Sequence, residues 1–222
     1  MIPVITIDGP SGSGKGTIAQ NVAKQLGWHI LDSGSLYRLT ALACIQDNID
    51  FKDETKIESI ALNLPVSFES TPQGFKILLK NEDVSEAIRD ESIGMAASKV
   101  AALGGVRESL LARQRAFVAV PGLVADGRDM GTTVFPQAGL KIFMTASCEE
   151  RAQRRYKQLK EKGISVSLAA LVADLKARDE QDSNRSISPL KPAADAVMID
   201  TSEMSIDQVT QKVLDLAKQA FG

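Results

Sequence analysis

Gly9-Pro10-Ser11-Gly12-Ser13-Gly14-Lys15-Gly16-Thr17 places four glycines and a lysine within nine residues. An ordinary turn needs neither the lysine nor so many glycines. Backbone N–H groups freed by glycine can close around phosphate oxygens, a helix N-terminus adds partial positive charge, and a lysine supplies a mobile cation for a transferred phosphoryl group. The run follows the apolar Val4-Ile5-Thr6-Ile7 and opens a stretch carrying Ile18, Val22 and Leu26 at helical spacing, closed by Gly27. Strand, loop and helix in that order are the context a phosphate cradle requires. These nine residues are expected to hold the phosphates of a donor nucleotide. In the commonest form of such a loop a Ser or Thr follows the lysine and faces magnesium; here Gly16 takes that place and Thr17 comes one later.

Phosphoryl transfer also calls for an acid and for cations on the acceptor side. Asp126 ends the apolar Leu123-Val124-Ala125, where a strand would deliver its carboxylate to the sheet edge; it suits either an outer magnesium contact or a turn before Gly127. Arg128 and Asp129 follow in the same loop. Asp32-Ser33-Gly34-Ser35-Leu36-Tyr37-Arg38 follows a second short apolar run, with Asp32 or Ser33 placed to cap the helix that carries Arg38. Arg178, Asp182 and Arg185 fall at i, i+4 and i+7 and would share one helix face, either a solvated ion-paired surface or a ligand-holding one. Arg151, Arg154 and Arg155 lie at i, i+3 and i+4 after Ser147, whose spacing to Glu150 suggests a capping box.

The elements that must position these residues alternate. Short apolar runs at 4–7, 29–31, 123–125, 141–144 and 196–199, with helical patterns between them, predict a parallel sheet with helices on both faces. A last helix follows Ser205 and packs through Val209, Val213 and Leu216. Residues 66–68 and 75–79 interrupt the alternation as two strands joined by a turn with Pro72 and Gly74, a small β-rich excursion. A helical stretch then runs from about 90 to 117, broken near Gly104-Gly105, before Pro121 and Gly122 restart the sheet.

The whole chain narrows the function classes. Its 222 residues carry 26 Lys and Arg against 28 Asp and Glu, a formal charge of -2, which gives no overall field for a nucleic acid polymer or a membrane surface. Two distant cysteines, Cys44 and Cys148, with the single His29, suggest neither zinc nor disulfides; both thiols are expected to be buried apolar groups and His29 structural. No signal-peptide pattern or spanning stretch is visible, so a cytoplasmic protein is expected, and monomer is the default.

The GKGT run resembles the loop of nucleoside monophosphate kinases. With DSG-x-x-YR at 32–38, GRDMGT at 127–132 and R-D-x-x-D-x-x-R at 178–185, the chain resembles the bacterial cytidylate kinase family nearly end to end. The resemblance implies an α/β P-loop NTPase fold: a five-stranded parallel sheet with helices on both faces, a small β-rich monophosphate-binding insert and a short helical lid. It implies a core of 1–35, 118–150 and 186–222, a monophosphate-binding region of about 36–117 and a lid of about 151–185. It also implies ATP as donor, Mg2+ held through Thr17 and Asp126, and CMP and dCMP as acceptors. The matching positions assign Ser33, Tyr37, Arg38 and Arg128 to the acceptor and its phosphate, and Asp129, Arg107 and Ser98 to the base. They assign Arg178, Asp182 and Arg185 to sugar or phosphate, and Lys15, Arg128, Arg154 and Arg178 to catalysis. Cytosine offers an N4 amine donor beside acceptors at N3 and O2, so a carboxylate flanked by donors suits it, whereas the same carboxylate would oppose O4 of uracil. A kinase for UMP, AMP or a non-nucleotide acid is the nearest rival; a GTP-dependent switch would be expected to carry an N/T-K-x-D motif, which the sequence lacks.

Overall fold

The computed structural model describes residues 1–71, 74–161 and 163–222. In chain order the elements are β1 (Val4–Asp8), α1 (Lys15–Leu26), β2 (His29–Asp32), α2 (Ser33–Gln46), α3 (Glu54–Leu62), β3 (Val66–Thr71), β4 (Gly74–Leu79) and β5 (Glu82–Asp83). They continue as α4 (Glu91–Val100), α5 (Gly104–Arg115), β6 (Leu123–Gly127), β7 (Leu140–Thr145), α6 (Cys148–Glu161), α7 (Leu168–Ser183), β8 (Val197–Asp200) and α8 (Ile206–Phe221). The chain divides into two compact units, Met1–Asp32 with Arg115–Gly222, and Ser33–Gln114.

The first unit is built on a five-stranded sheet in the order β2-β6-β1-β7-β8, every neighbouring pair parallel. All five expected strands are present. β1 is central and buried along its whole length, which explains why it is apolar apart from Thr6 and the terminal Asp8. On one face Ile5, Ile7, Val124, Ile142, Met144 and Ile199 pack with Ile18 and Val22 of α1 and with Val209 and Val213 of α8. Against β1 and β6 also lies a single π-helical turn, Met130–Val134, whose Met130 and Val134 are buried. Gly27 ends α1 in the left-handed conformation, its N–H reaching back to Ala23 and Lys24. Ser205 caps α8 through a reciprocal pair with Gln208. Ser147 Oγ accepts from the Glu150 amide at 3.1 Å, so α6 starts where its cap spacing predicts.

The second unit holds α2 packed against α4, and an antiparallel sheet in the order β3-β4-β5. Its core joins Leu39, Leu42 and Ala43 of α2 to Leu64, Leu79, Val84, Ile88 and Ile93. The two expected strands of the excursion pair directly, Val66 opposite Leu79; Pro72 of the expected turn lies outside the described residues.

Several local expectations are refined or corrected. β5, two residues long, carries too little pattern to be read from sequence. The helical stretch is broken at 101–103, beside Gly104-Gly105 as expected, and the two glycines themselves begin α5; a Cβ on Gly105 would collide with the Glu58 carboxylate, so its small size serves close packing with α3. Arg185 stands beyond α7, which ends at Ser183 with Asn184 as its C-cap, so only Arg178 and Asp182 share the helix. Cys44 is buried, but Cys148 is only half-buried, its thiol directed at the Val172 carbonyl. α2 begins at Ser33 itself, and the Ser33 hydroxyl donates to Gln114 Oε1 at 2.7 Å.

Candidate functional site

The cradle leaves the C-terminal end of β1. Gly9 is required by close approach: a Cβ there would strike the Met144 carbonyl of β7. Two carbonyls of the loop are held from outside. Arg151 Nη1 donates to Ser11 O at 2.8 Å, and Thr201 Oγ1 reaches Ser13 O at 3.4 Å. Because a trans peptide points its C=O and the following N–H in opposite directions, the amides of Gly12 and Gly14 turn to the loop interior, where phosphate oxygens would be met. Ser13 Oγ donates to Pro10 O at 3.0 Å, and Lys15 Nζ reaches the same carbonyl at 3.2 Å. Burial pulls the Lys15 ammonium below the ordinary lysine value, with Arg128 acting in the same direction and Asp126 against it.

Asp126 of β6 stands beside β1 in register with Ile7, and on the other side opposite Asp32 of β2. Lys15 Nζ is 3.9 Å from its Oδ1, and that oxygen is buried with no hydrogen-bond partner. Burial pushes its carboxyl above the usual range, Lys15 opposing and Asp32 adding to the rise. Among the described residues no group of three or more His, Cys, Asp or Glu could hold a metal ion. Magnesium bound with a nucleotide takes one or two carboxylates, several waters and the substrate phosphates, so an orphaned carboxylate oxygen beside a phosphate cradle fits it. Gly16, in the place where a hydroxyl is usual, lies against Asp126: a Cβ there would sit 3.1 Å from Oδ2. Thr17 follows, exposed, on the next position of α1.

The loop after β6 carries Arg128 and Asp129. Arg128 Nε donates to Asp182 Oδ2 at 3.0 Å, while Arg185 Nη2 donates to Oδ1 of the same carboxylate. Asp182 is 1% exposed; burial would raise its carboxyl, but Arg128 and Arg185 outweigh that and hold it below the ordinary value. Arg178 adds a third guanidinium acting on Asp182. Guanidinium groups gathered around one carboxylate are of the kind that meet phosphate oxygens. Asp129 is 2% exposed at the start of the π turn. Of the helix α6 arginines, Arg151 is buried against the cradle and meets Asp179 of α7, and Arg154 donates to Thr201 O at 2.6 Å and to Glu150 at 3.2 Å.

The second unit gathers the other expected residues by itself. Arg38 Nη1 donates to Ile88 O at 2.7 Å, and its guanidinium lies over Gly94, where a Cβ would stand 3.0 Å from Nη2. Arg107 is buried, donates to Ala101 O at 3.1 Å and lies 5.6 Å from the Tyr37 ring centre. Ser33 and Ser98 are buried as well.

Sequence reasoning passed over three residues that bond to candidate residues or to the loops that carry them, each within its own unit. Asp8 closes β1 and accepts from the Met130 and Gly131 amides, both at 2.8 Å. Asp179 binds the Arg151 guanidinium, and Gln114 receives the Ser33 hydroxyl. A charged residue ending an otherwise apolar strand was the available signal for Asp8; the other two pair across long sequence separations that periodicity does not report.

A family model described as cytidylate kinase matches residues 5–219. A cytidylate kinase of Aeromonas hydrophila subsp. hydrophila is 53% identical over 222 residues, covering 100% of this chain and 96% of that protein. One from Pseudomonas syringae pv. tomato is 58% identical over 214 residues, covering 96% of this chain and 93% of its own. A third, from Shewanella denitrificans, is 54% identical over 221 residues, covering 99% and 97%. Matches of this extent and identity leave one conclusion: the chain belongs to the cytidylate kinase family.

Proposed function

We propose that this protein transfers the γ-phosphoryl group of ATP to CMP and dCMP, giving CDP and dCDP. The observation that carries the reading is the placement of two loops on adjacent strands: the cradle follows Asp8 and the Arg128-Asp129 loop follows Gly127, and these two residues are register partners. A phosphate donor site and an acceptor-reading carboxylate therefore leave the same sheet edge side by side.

In this reading residues 9–17 hold the triphosphate and Lys15 follows the transferred group. Thr17 and Asp126 are the residues that would hold Mg2+ bound with ATP, Asp126 through water, and the ion would supply neutralisation of phosphate charge. Arg38 and Arg128 fix the acceptor phosphate, with Ser33 and Tyr37 beside Arg38 in its unit. Arg178, Asp182 and Arg185 orient sugar or phosphate. Asp129, Arg107 and Ser98 read cytosine. Arg154 and Arg178 supply charge to the transferring oxygens, with residues 151–185 as the lid. An ionised phosphate is already a nucleophile, so the protein contributes alignment, neutralisation and exclusion of water, and no general base is required. We place the enzyme in the cytoplasm, as a monomer.

The test is ADP formation measured with CMP, dCMP, UMP and AMP as acceptors, in the parent and in Asp129→Ala. CMP and dCMP turn over much faster than the other two, and the substitution erodes that preference. Equal rates on all four acceptors in the parent would refute the assignment of cytosine recognition; slow ADP release indifferent to any monophosphate would point to a nucleotide switch instead.

A further inference from the structure

Asp8 occupies a junction that the proposed mechanism does not use. Its main chain runs directly into Gly9, the first residue of the cradle. Its side chain is 4% exposed and grips the other loop: Oδ1 accepts from the Met130 amide and Oδ2 from the Gly131 amide. Gly131 presses close to β1 and β7, since a Cβ there would lie 2.9 Å from Thr6 Oγ1 and 3.2 Å from Lys141 Cδ. The Asp129 carbonyl is engaged too, accepting from the Thr133 amide at 2.9 Å and the Val134 amide at 3.2 Å. The Asp129 peptide is thus fixed at both ends, by the π turn through its carbonyl and by Asp8 through the amide that follows.

We propose that Asp8 is a positioning residue for base selection, acting through Met130 and Gly131 to set where the Asp129 carboxylate stands relative to the cradle. The inference rests on the reading of Asp129 as the cytosine reader. Two features support it beyond geometry. The carboxylate is kept although burial raises it to about 6 and Asp129 adds to the rise, with only the Gly131 and Met130 amides and Lys15 acting in the other direction. Stability alone is poorly served by such a group, whereas a fixed bidentate acceptor serves orientation well. In addition, one residue connects both loops, so a shift of the acceptor loop relative to the donor loop must pass through it.

Asp8→Asn replaces one acceptor by an amide NH2 that faces a backbone N–H, which displaces the loop while leaving every side chain proposed to touch a nucleotide chemically intact. Measured well below each variant's melting temperature, the ratio of kcat/KM for CMP to that for UMP falls by about tenfold or more, as expected for a reader moved by roughly an ångström, while KM for ATP stays close to the parent. In an Asp129→Ala background the same substitution leaves the CMP to UMP ratio where Asp129→Ala alone put it. A purely structural role would lower both acceptors equally and leave the ratio unmoved, and that result overturns the proposal. If Asp129→Ala itself leaves the ratio unmoved, the cytosine-reader assignment falls and this inference with it; if Asp129→Ala collapses the ratio and Asp8→Asn does not, only this inference falls. Should Asp8→Asn fail to fold, Asp8→Glu, which keeps both acceptors on a stem one methylene longer, is read by the same ratio.

Discussion

The Arg151 guanidinium donates to the Ser11 carbonyl at 2.8 Å and at the same time engages both oxygens of Asp179. Helix α6 therefore braces the cradle at its middle, and α7 braces α6. Arg151 lies at the start of the lid region that the resemblance implies, and in the structure it is a buried support of the loop.

Arg151→Ala leaves Asp179 and the Ser11 carbonyl without their shared cation. Arg151 is buried but Asp179 only half-buried, so the loss costs about 1–3 kcal/mol. For a chain of this size that corresponds to a fall in Tm of roughly 2–12 °C. KM for ATP rises with it. A thermal scan within about a degree of the parent would contradict the bracing role.

Lys15→Ala removes the cation that follows the transferred group. The expected loss in kcat is about 10²–10³-fold, in line with deletion of one preorganised charge-stabilising group. CMP binding, followed by titration calorimetry, remains near the parent because Lys15 belongs to the donor cradle. Full phosphorylating activity in this variant would remove the basis for placing ATP there.

Stability responds to pH through Asp8 in a direction opposite to most carboxylates. Burial raises its carboxyl from 3.8 to about 6. Between those values the native state binds more protons than the unfolded chain, so this group lowers stability as pH rises. The parent's stability relative to Asp8→Asn therefore declines by about 3 kcal/mol between pH 3.5 and 7. Urea unfolding of both proteins across that range checks it; parallel curves would show that Asp8 titrates as it does in the unfolded chain.

Gly9→Ala puts a methyl group into the Met144 carbonyl. Neither backbone can yield without parting β1 from β7 or lifting the cradle. The expected destabilisation is about 1–3 kcal/mol or more, with a loss of ATP affinity beyond what the stability change explains. An alanine variant that unfolds and binds ATP like the parent would show that the close approach is dispensable.

Most of the framework is legible in the sequence, because the signals were strong where one physical constraint dominates. A central strand buried on both faces is apolar along nearly its whole length, as residues 4–7 (Thr6 apart) and 123–125 are. A phosphate cradle needs glycines and a lysine in one order between strand and helix, and residues 9–17 supply it. What was missed has a different cause. Gly104-Gly105 marked the helical break to within a few residues, but the requirement for smallness at Gly105 came from Glu58, a partner far away in sequence that local pattern does not report. Arg185 looked helical by spacing, yet Ser183 and Asn184 are residues whose side chains compete for the backbone, and the helix stops between them. Asp8 carried one local sign, its place at the end of a buried strand, and Arg151 carried none, since a charged side chain discloses its environment mainly through the partners that chain topology brings to it.

The pairing of Asp8 with Gly127 across one ladder has a consequence for how far this enzyme can be altered. Parallel neighbours lie about 4.8 Å apart, and that interval is imposed by main-chain hydrogen bonding, not by any particular side chain. Surface loops elsewhere can lengthen or shorten freely, but a single residue gained or lost before Gly9 or before Arg128 would slide one strand by a step and turn every one of its side chains to the opposite face. Deletion scanning would accordingly find two narrow intolerant windows at the ends of these strands, flanked by tolerant sequence.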